Sequence, residues 1–329
     1  MVKDTLTQEV SEKGFALVVV IVIMLLVSFL ASQLILNVRT ELKVAFNTKA
    51  RSSGLALAVA GLNLGIFRIL DTPLHYINEE YESFHEGYEY AAFLPSGRVT
   101  YTVVNESGKI DLNKMNESLL KIFLEYMEVD VDDQSVIIDS LYDWRDSDDL
   151  HRLNGAEQEY YQALDDPYIP RNGRIQDPAE FFLIHGTDKL NKKFKASDIF
   201  TVHNTSRKIN FNSLTPLMLD FLVEGDEERK IAYRDAKQEL GTLNKSQARI
   251  ILGDERFDRC TSFLTYTAAN NKYYTVLAQG KPGVSEENQD EAISQDEATS
   301  QDEPEMAVSV LFQLKGSKVN YLSWQEGWS

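Results

Sequence analysis

The chain has 329 residues, 51 acidic against 33 basic, for a net charge of −18. That balance excludes a surface built to neutralise phosphates, which needs clustered Lys and Arg. The single cysteine, Cys260, excludes an intrachain disulfide and any multi-cysteine metal site. Hydrophobic and charged contents of 43% and 26% exclude wholesale disorder, and the length suffices for about two domains.

The first element is apolar. From Phe15 to Leu36, 22 residues pass without a charge, enough helix for about 33 Å against a hydrocarbon core of about 30 Å. A cleaved secretory signal would have an apolar run of about 7–15 residues and small residues at the cut. A cut after Ala31 puts Phe29 at the −3 position, so the run reads as a retained transmembrane helix. Lys3 and Lys13 precede it, whereas Arg39, Lys43, Lys49 and Arg51 follow; a literal positive-inside count puts the C-terminal bulk in the cytoplasm. Val38, Leu42, Ala45 and Phe46, then Leu55, Ala58, Val59, Leu62, Ile66, Phe67 and Leu70, continue at helical spacing, and no proline intervenes before Pro73. The pattern predicts one helix of about 55 residues, the first half in lipid and the second against a soluble domain. Gly54, Gly61 and Gly65 mark positions for bending or close packing.

The junction Ser11-Glu12-Lys13-Gly14 before Phe15 resembles the class III signal of type IV pilins and pseudopilins. The resemblance implies cleavage by a prepilin peptidase after Gly14 and methylation of the new amino terminus on Phe15. Most members of that family carry Glu at the fifth mature position, where this chain has Val19. A carboxylate there is costly to bury in lipid unless paired, and in such filaments its partner is the amine of the subunit above. Val19 therefore implies a subunit with nothing above it, at the filament tip.

Next come strands. Tyr88–Leu94 and Arg98–Val104 alternate around Pro95-Ser96-Gly97 and predict a hairpin. Ser262–Thr267 and Tyr273–Gln279, joined through Asn270-Asn271, read as a second, and Ala307–Leu314 with Val319–Trp324 complete an antiparallel sheet. Between the strand-rich ends lies a helical region from about Leu112 to Cys260, so the expected class is α+β: a long N-terminal helix on an antiparallel sheet, with a large helical insertion. Within it, Lys109-Ile110-Asp111-Leu112-Asn113 recurs as Lys208-Ile209-Asn210-Phe211-Asn212, each ahead of a helix. Such openings look like helix-hairpin-helix or SAM-like units. The glycine-rich hairpin of DNA-binding versions is missing, and acidic Glu224–Glu228 would repel phosphate, so the repeat reads as a scaffold with no nucleic-acid partner. Val284–Glu305 holds nine acids, no bases and a six-residue Gln-Asp-Glu-Ala repeat, the composition of a disordered loop.

The densest chemistry is Asp143-Trp144-Arg145-Asp146-Ser147-Asp148-Asp149 followed by Asn154-Gly155-Ala156-Glu157-Gln158-Glu159-Tyr160-Tyr161. Six carboxylates in 17 residues offer the oxygen donors that Ca²⁺ takes, without the spacing of an EF-hand. The same residues also suit a solvated acidic loop or a catalytic carboxylate pair. The five His (His75, His85, His151, His185 and His203) supply no triad or HxxxH partner for the latter.

Together with Pro167-Tyr168, Pro170, Asn172, the Glu180–Gly186 stretch, the Asn210 motif and the closing Leu322-Ser323-Trp324-Gln325-Glu326, this cluster resembles the K-type minor pseudopilin of type II secretion. The resemblance runs from Gly14 nearly to the end. It implies a pilin-like fold with calcium in the soluble part, for which Asp143, Asp146, Asp148, Asp149 and Glu157 are the candidate ligands. It also implies a non-enzymatic subunit with no catalytic residues, a single-pass inner-membrane protein with its soluble domain in the periplasm. That location opposes the charge count. Implied partners are the I- and J-type minor pseudopilins, the major pseudopilin filament and the prepilin peptidase. The expected layout is a leader over 1–14, a transmembrane segment over 15–36, a pilin-like domain over 37–110 and 262–329, and an insertion over 111–261 divided into 111–205 and 206–261. Two other readings are a membrane-anchored nucleic-acid-binding protein, which would need a basic groove, and a metal-dependent hydrolase, which would need a positioned base.

Overall fold

The computed structural model describes residues 4–71, 84–267, 271–283 and 305–328. His75 and the acidic repeat up to residue 304 lie outside the described residues.

The first helix, α1 (Asp4–Leu70), has 67 residues and a length of about 100 Å. It starts before Phe15 and passes through the Gly14-Phe15 junction, because a lone glycine costs only about 1 kcal/mol and does not end a helix. The strands are β1 (Glu89–Leu94), β2 (Gly97–Asn105), β3 (Ile110–Asp111), β4 (Phe200–Thr201), β5 (Ile209–Asn210), β6 (Leu264–Thr265), β7 (Tyr273–Pro282), β8 (Met306–Lys315) and β9 (Lys318–Trp328). The remaining helices are α2 (Glu117–Tyr126), α3 (Val131–Arg145), α4 (Gln158–Gln162), α5 (Ala196–Ile199), α6 (Pro216–Val223), α7 (Glu227–Leu240), α8 (Lys245–Leu252) and α9 (Asp254–Cys260).

Strands β1, β2, β7, β8 and β9, in that order, form one antiparallel sheet. The second half of α1 packs on it: Leu57, Ala58, Leu62 and Ile66 bury themselves against Val99, Tyr101, Val103, Val276, Ala278, Val308, Val310 and Phe312. Each fully buried aliphatic side chain there contributes about 1.5–3 kcal/mol. Close packing, the second of the two roles open to the helix glycines, decides this contact. A Cβ on Gly61 would sit 2.5 Å from Val99 Cγ1, and one on Gly65 would sit 3.1 Å from Val103 and Val276. Across the interface, a Cβ on Gly280 would meet Gly54 O at 2.2 Å. The first half of α1 is different. Its described side chains from Phe15 to Lys49 are exposed, including every large apolar one from Leu17 to Phe46, and the helix is long and apolar enough to cross a membrane.

Asn105 ends β2 directly opposite Tyr274 in β7, so the chain leaves and re-enters the sheet at one point. The residues between them form the helical insertion, with a second apolar core around Phe123, Tyr161, Phe181, Phe200, Phe211 and Phe221. Two units of one design build it. Ile110-Asp111 pairs in parallel with Phe200-Thr201, and Ile209-Asn210 pairs in parallel with Leu264-Thr265. In the first unit Asn113 clamps Ile175, accepting from its N–H at 2.8 Å and donating to its carbonyl at 2.9 Å. In the second unit Asn212 holds Leu243 the same way, at 2.7 and 2.8 Å. The repeated Lys-Ile-x-x-Asn thus encodes a strand followed by an amide clamp.

The structure corrects one hairpin. Leu264-Thr265 does not pair with β7 but with β5 inside the insertion, while β7 lies between β2 and β8. The signals for the β1–β2 and β8–β9 hairpins correspond to observed pairs.

Candidate metal centre

Helix α3 starts well and ends badly. Asp132 and Asp133 lie in its first turn, where the helix dipole favours carboxylates, and Ile137, Leu141 and Trp144 face the core. At its other end Asp146, Asp148 and Asp149 follow Arg145, so negative charges gather at the negative end of the dipole. The chain then turns back through Gly155, where a Cβ would lie 1.9 Å from Asp143 Oδ2. Only glycine lets the loop close over that carboxylate.

Folding brings the acidic residues into mutual electrostatic range. Asp143 is fully buried, and its two oxygens accept from the Arg152 N–H at 3.3 and 3.0 Å. Asp146 Oδ1 and both oxygens of Glu157 are buried without a hydrogen-bond partner. Asp148 and Asp149 stand at the exposed rim: Asp148 accepts from the Leu150 N–H at 3.0 Å and Asp149 from the Asn172 amide at 2.9 Å. The charges of the other four candidate ligands all reach Glu157, and the buried oxygens belong to Asp143, Asp146 and Glu157. A cleft of about 750 Å³, lined by Asp149, His151, Gly155, Glu157, Glu159 and Tyr160, opens beside it.

Two glutamates of equal burial, 7% exposed each, show what is unusual. Burial works against the charge of Glu180, yet Arg171 and the N–H groups of Gln176 and Asp177 hold its carboxyl below the ordinary range. Glu157 has no such partners. Burial, with the charges of Asp143, Asp146, Asp149 and Asp148, pushes its carboxyl up to about 7. Burial and neighbouring carboxylates likewise raise Asp143 and Asp146, against the opposing pull of Arg152.

An orphaned buried carboxylate is stable only if it is protonated or meets a cation. Among the described residues no three acidic, His or Cys side chains close into a ready-made metal cage. The unpartnered oxygens nevertheless fit a hard divalent ion, which gathers carboxylate and amide oxygens in flexible geometry. Asn172, absent from the predicted ligands, stands beside them. Its backbone is left-handed at φ 42°, its amide donates to Asp149, and its Oδ1 is buried and unpartnered. The signal for it was its place in the Pro170-x-Asn172 motif. Tyr142 and Arg152, which border the cluster, carried no signal in the sequence.

His185 lies on Tyr160 with ring centroids 4.0 Å apart, His203 stacks on Tyr273, and His151 Nδ1 contacts the Arg152 carbonyl. Gly14, Phe15 and Val19 lie in the first half of α1, away from the cluster in sequence, with the Phe15 and Val19 side chains exposed.

Residues 102–192 match the family model described as type II secretion system (T2SS), protein K. This segment is similar to the type II secretion protein K family. It contains all five candidate ligands and Asn172. The type II secretion system protein K of Klebsiella pneumoniae is 32% identical over 77 residues, 23% of this chain and 24% of that protein. The chain thus spans about a quarter of the length of that curated relative. A crystal structure of the GspK-GspI-GspJ complex from the type 2 secretion system of enterotoxigenic Escherichia coli is similar with a TM-score of 0.49 and 16% identity, over 89% of this chain and 100% of that one.

Proposed function

We propose that this chain is a minor pseudopilin at the tip of a type II secretion pseudopilus, a structural and non-enzymatic subunit. The observation that supports the reading is the coupling of a segment that matches the protein K family model to an exposed apolar helix with the Gly14-Phe15 junction near its start and Val19 where most pseudopilins carry Glu. The prepilin peptidase cleaves after Gly14 and methylates Phe15. The first half of α1 anchors the chain in the inner membrane, and the sheet and insertion lie in the periplasm. There it joins the I- and J-type minor pseudopilins, starts assembly of the major pseudopilin filament and supports export of folded proteins. The insertion, rooted at one point of the sheet, is a bulky cap that suits a tip and not a shaft.

Calcium is part of this proposal. Asp143, Asp146 and Glu157 would hold it with the Asn172 amide oxygen, and Asp148 and Asp149 would close the rim. The ion would compensate the charge gathered at the end of α3 and tie the loop over 146–157 to the body of the insertion.

Mass spectrometry of the mature amino terminus, from cells with and without prepilin peptidase, tests the assignment. Methylated Phe15 that depends on the peptidase is the expected result, and it places the C-terminal bulk outside the cytoplasm against the positive-inside count. An intact Met1 in both strains makes the chain an ordinary membrane anchor and removes the tip assignment.

A further inference from the structure

Two arginines face the acidic cluster, and they are held differently. Arg145 is committed: it donates to the carbonyls of Leu112 at 2.7 Å and Met115 at 3.4 Å, and its guanidinium lies 4.5 Å from the Tyr142 ring centre. Arg152 is anchored through its backbone, whose N–H donates to Asp143. Its side chain is 48% exposed, rests 4.4 Å from the Tyr142 ring centre, and places Nε 3.7 Å from Asp143 Oδ1. That is a long ion pair on a half-exposed side chain, beside a buried Glu157 with two unpartnered oxygens.

Resting on the calcium reading above, we propose that Arg152 is a tethered competitor for the divalent ion. Its guanidinium, parked on Tyr142, lends the carboxylates the positive charge that calcium supplies when bound, and so sets the concentration at which the site fills. A guanidinium approaches carboxylates from one side and pairs with one or two oxygens, whereas calcium takes six to eight from all sides. One therefore cannot fully replace the other, and the two charges oppose each other at close range. Because Arg152 is half exposed, solvent and salt weaken the opposition.

The test is calcium titration of the full-length protein in detergent micelles by isothermal calorimetry, at low and high ionic strength. Arg152→Gln removes the charge and is expected to bind calcium about three- to tenfold more tightly at low ionic strength, with the gap shrinking in salt. Arg152→Lys, which keeps the charge but loses the planar stack on Tyr142, is expected to fall between the Gln variant and wild type. In chelator the Gln variant should melt below wild type, and in saturating calcium the two should coincide. If that variant can be purified only with calcium, the result has the expected direction, and competition against a chelator then gives its affinity. A Gln variant that binds calcium no more tightly than a calcium-binding wild type overturns the competitor and leaves the calcium reading standing. A wild type and variant that both take up no calcium overturn the calcium reading itself, and the competitor with it.

Discussion

Glu157 and Glu180 are equally buried, but only Glu180 is surrounded by donors. That difference makes Glu157 the residue on which calcium and pH should act. In chelator the unfolded chain releases its proton near 4.5, whereas the folded chain holds it until about 7. The folded state binds more protons over that window, so its stability falls as pH rises from about 4.5 to about 7 and levels off above. Urea unfolding across pH should show this decline, and Glu157→Gln should flatten it. The same variant should raise stability in chelator, because it removes an uncompensated charge, and weaken calcium binding about tenfold or more. If the variant binds calcium as wild type does, Glu157 is not a ligand.

At the scale of elements, the α1–sheet contact depends on backbone approach. A Cβ on Gly280 would strike Gly54 O and Ala58 N, which cannot move aside, whereas one on Gly54 would first meet the flexible Met306 side chain at 2.9 Å. Gly280→Ala should therefore cost about 1–3 kcal/mol or more and Gly54→Ala clearly less, measured by chemical denaturation. The amide clamps make a parallel case in the insertion. Asn212→Ala leaves the N–H and carbonyl of Leu243 without the Asn212 amide and should cost about 1–3 kcal/mol. Asn113→Ala should match it through Ile175.

At the scale of the whole molecule, the described residues form two apolar cores joined where β2 meets β7. Buried Lys109 and Glu106 pair at 2.6 Å at that junction, and Thr275 donates to the same Glu106 oxygen at 2.7 Å. Calorimetry of the full-length protein should show chelator lowering the transition of the insertion while that of the sheet stays in place. Because Asn105 and Tyr274 already face each other, a short turn joining them should leave a folded sheet on α1. That excised form is expected to enter the membrane and to fail in secretion. Normal secretion and unchanged filament length without the insertion would remove its role as a tip cap.

Features encoded by neighbours in the chain were legible without a fold. The uncharged run from Phe15, the turns of the β1–β2 and β8–β9 hairpins, and the twin Lys-Ile-x-x-Asn openings all carry local signals. The acidic residues of the candidate site were visible too, because their density needs no partner to be noticed. Tertiary structure alone decided that Leu264-Thr265 belongs to the insertion, since a two-residue strand takes its meaning from a distant partner, here Ile209-Asn210. It alone separated Glu157 from Glu180, brought Asn172 to the rim and set Arg152 on Tyr142. Composition reports how many charges a segment carries; only packing determines which of them lose their water and what remains to face them.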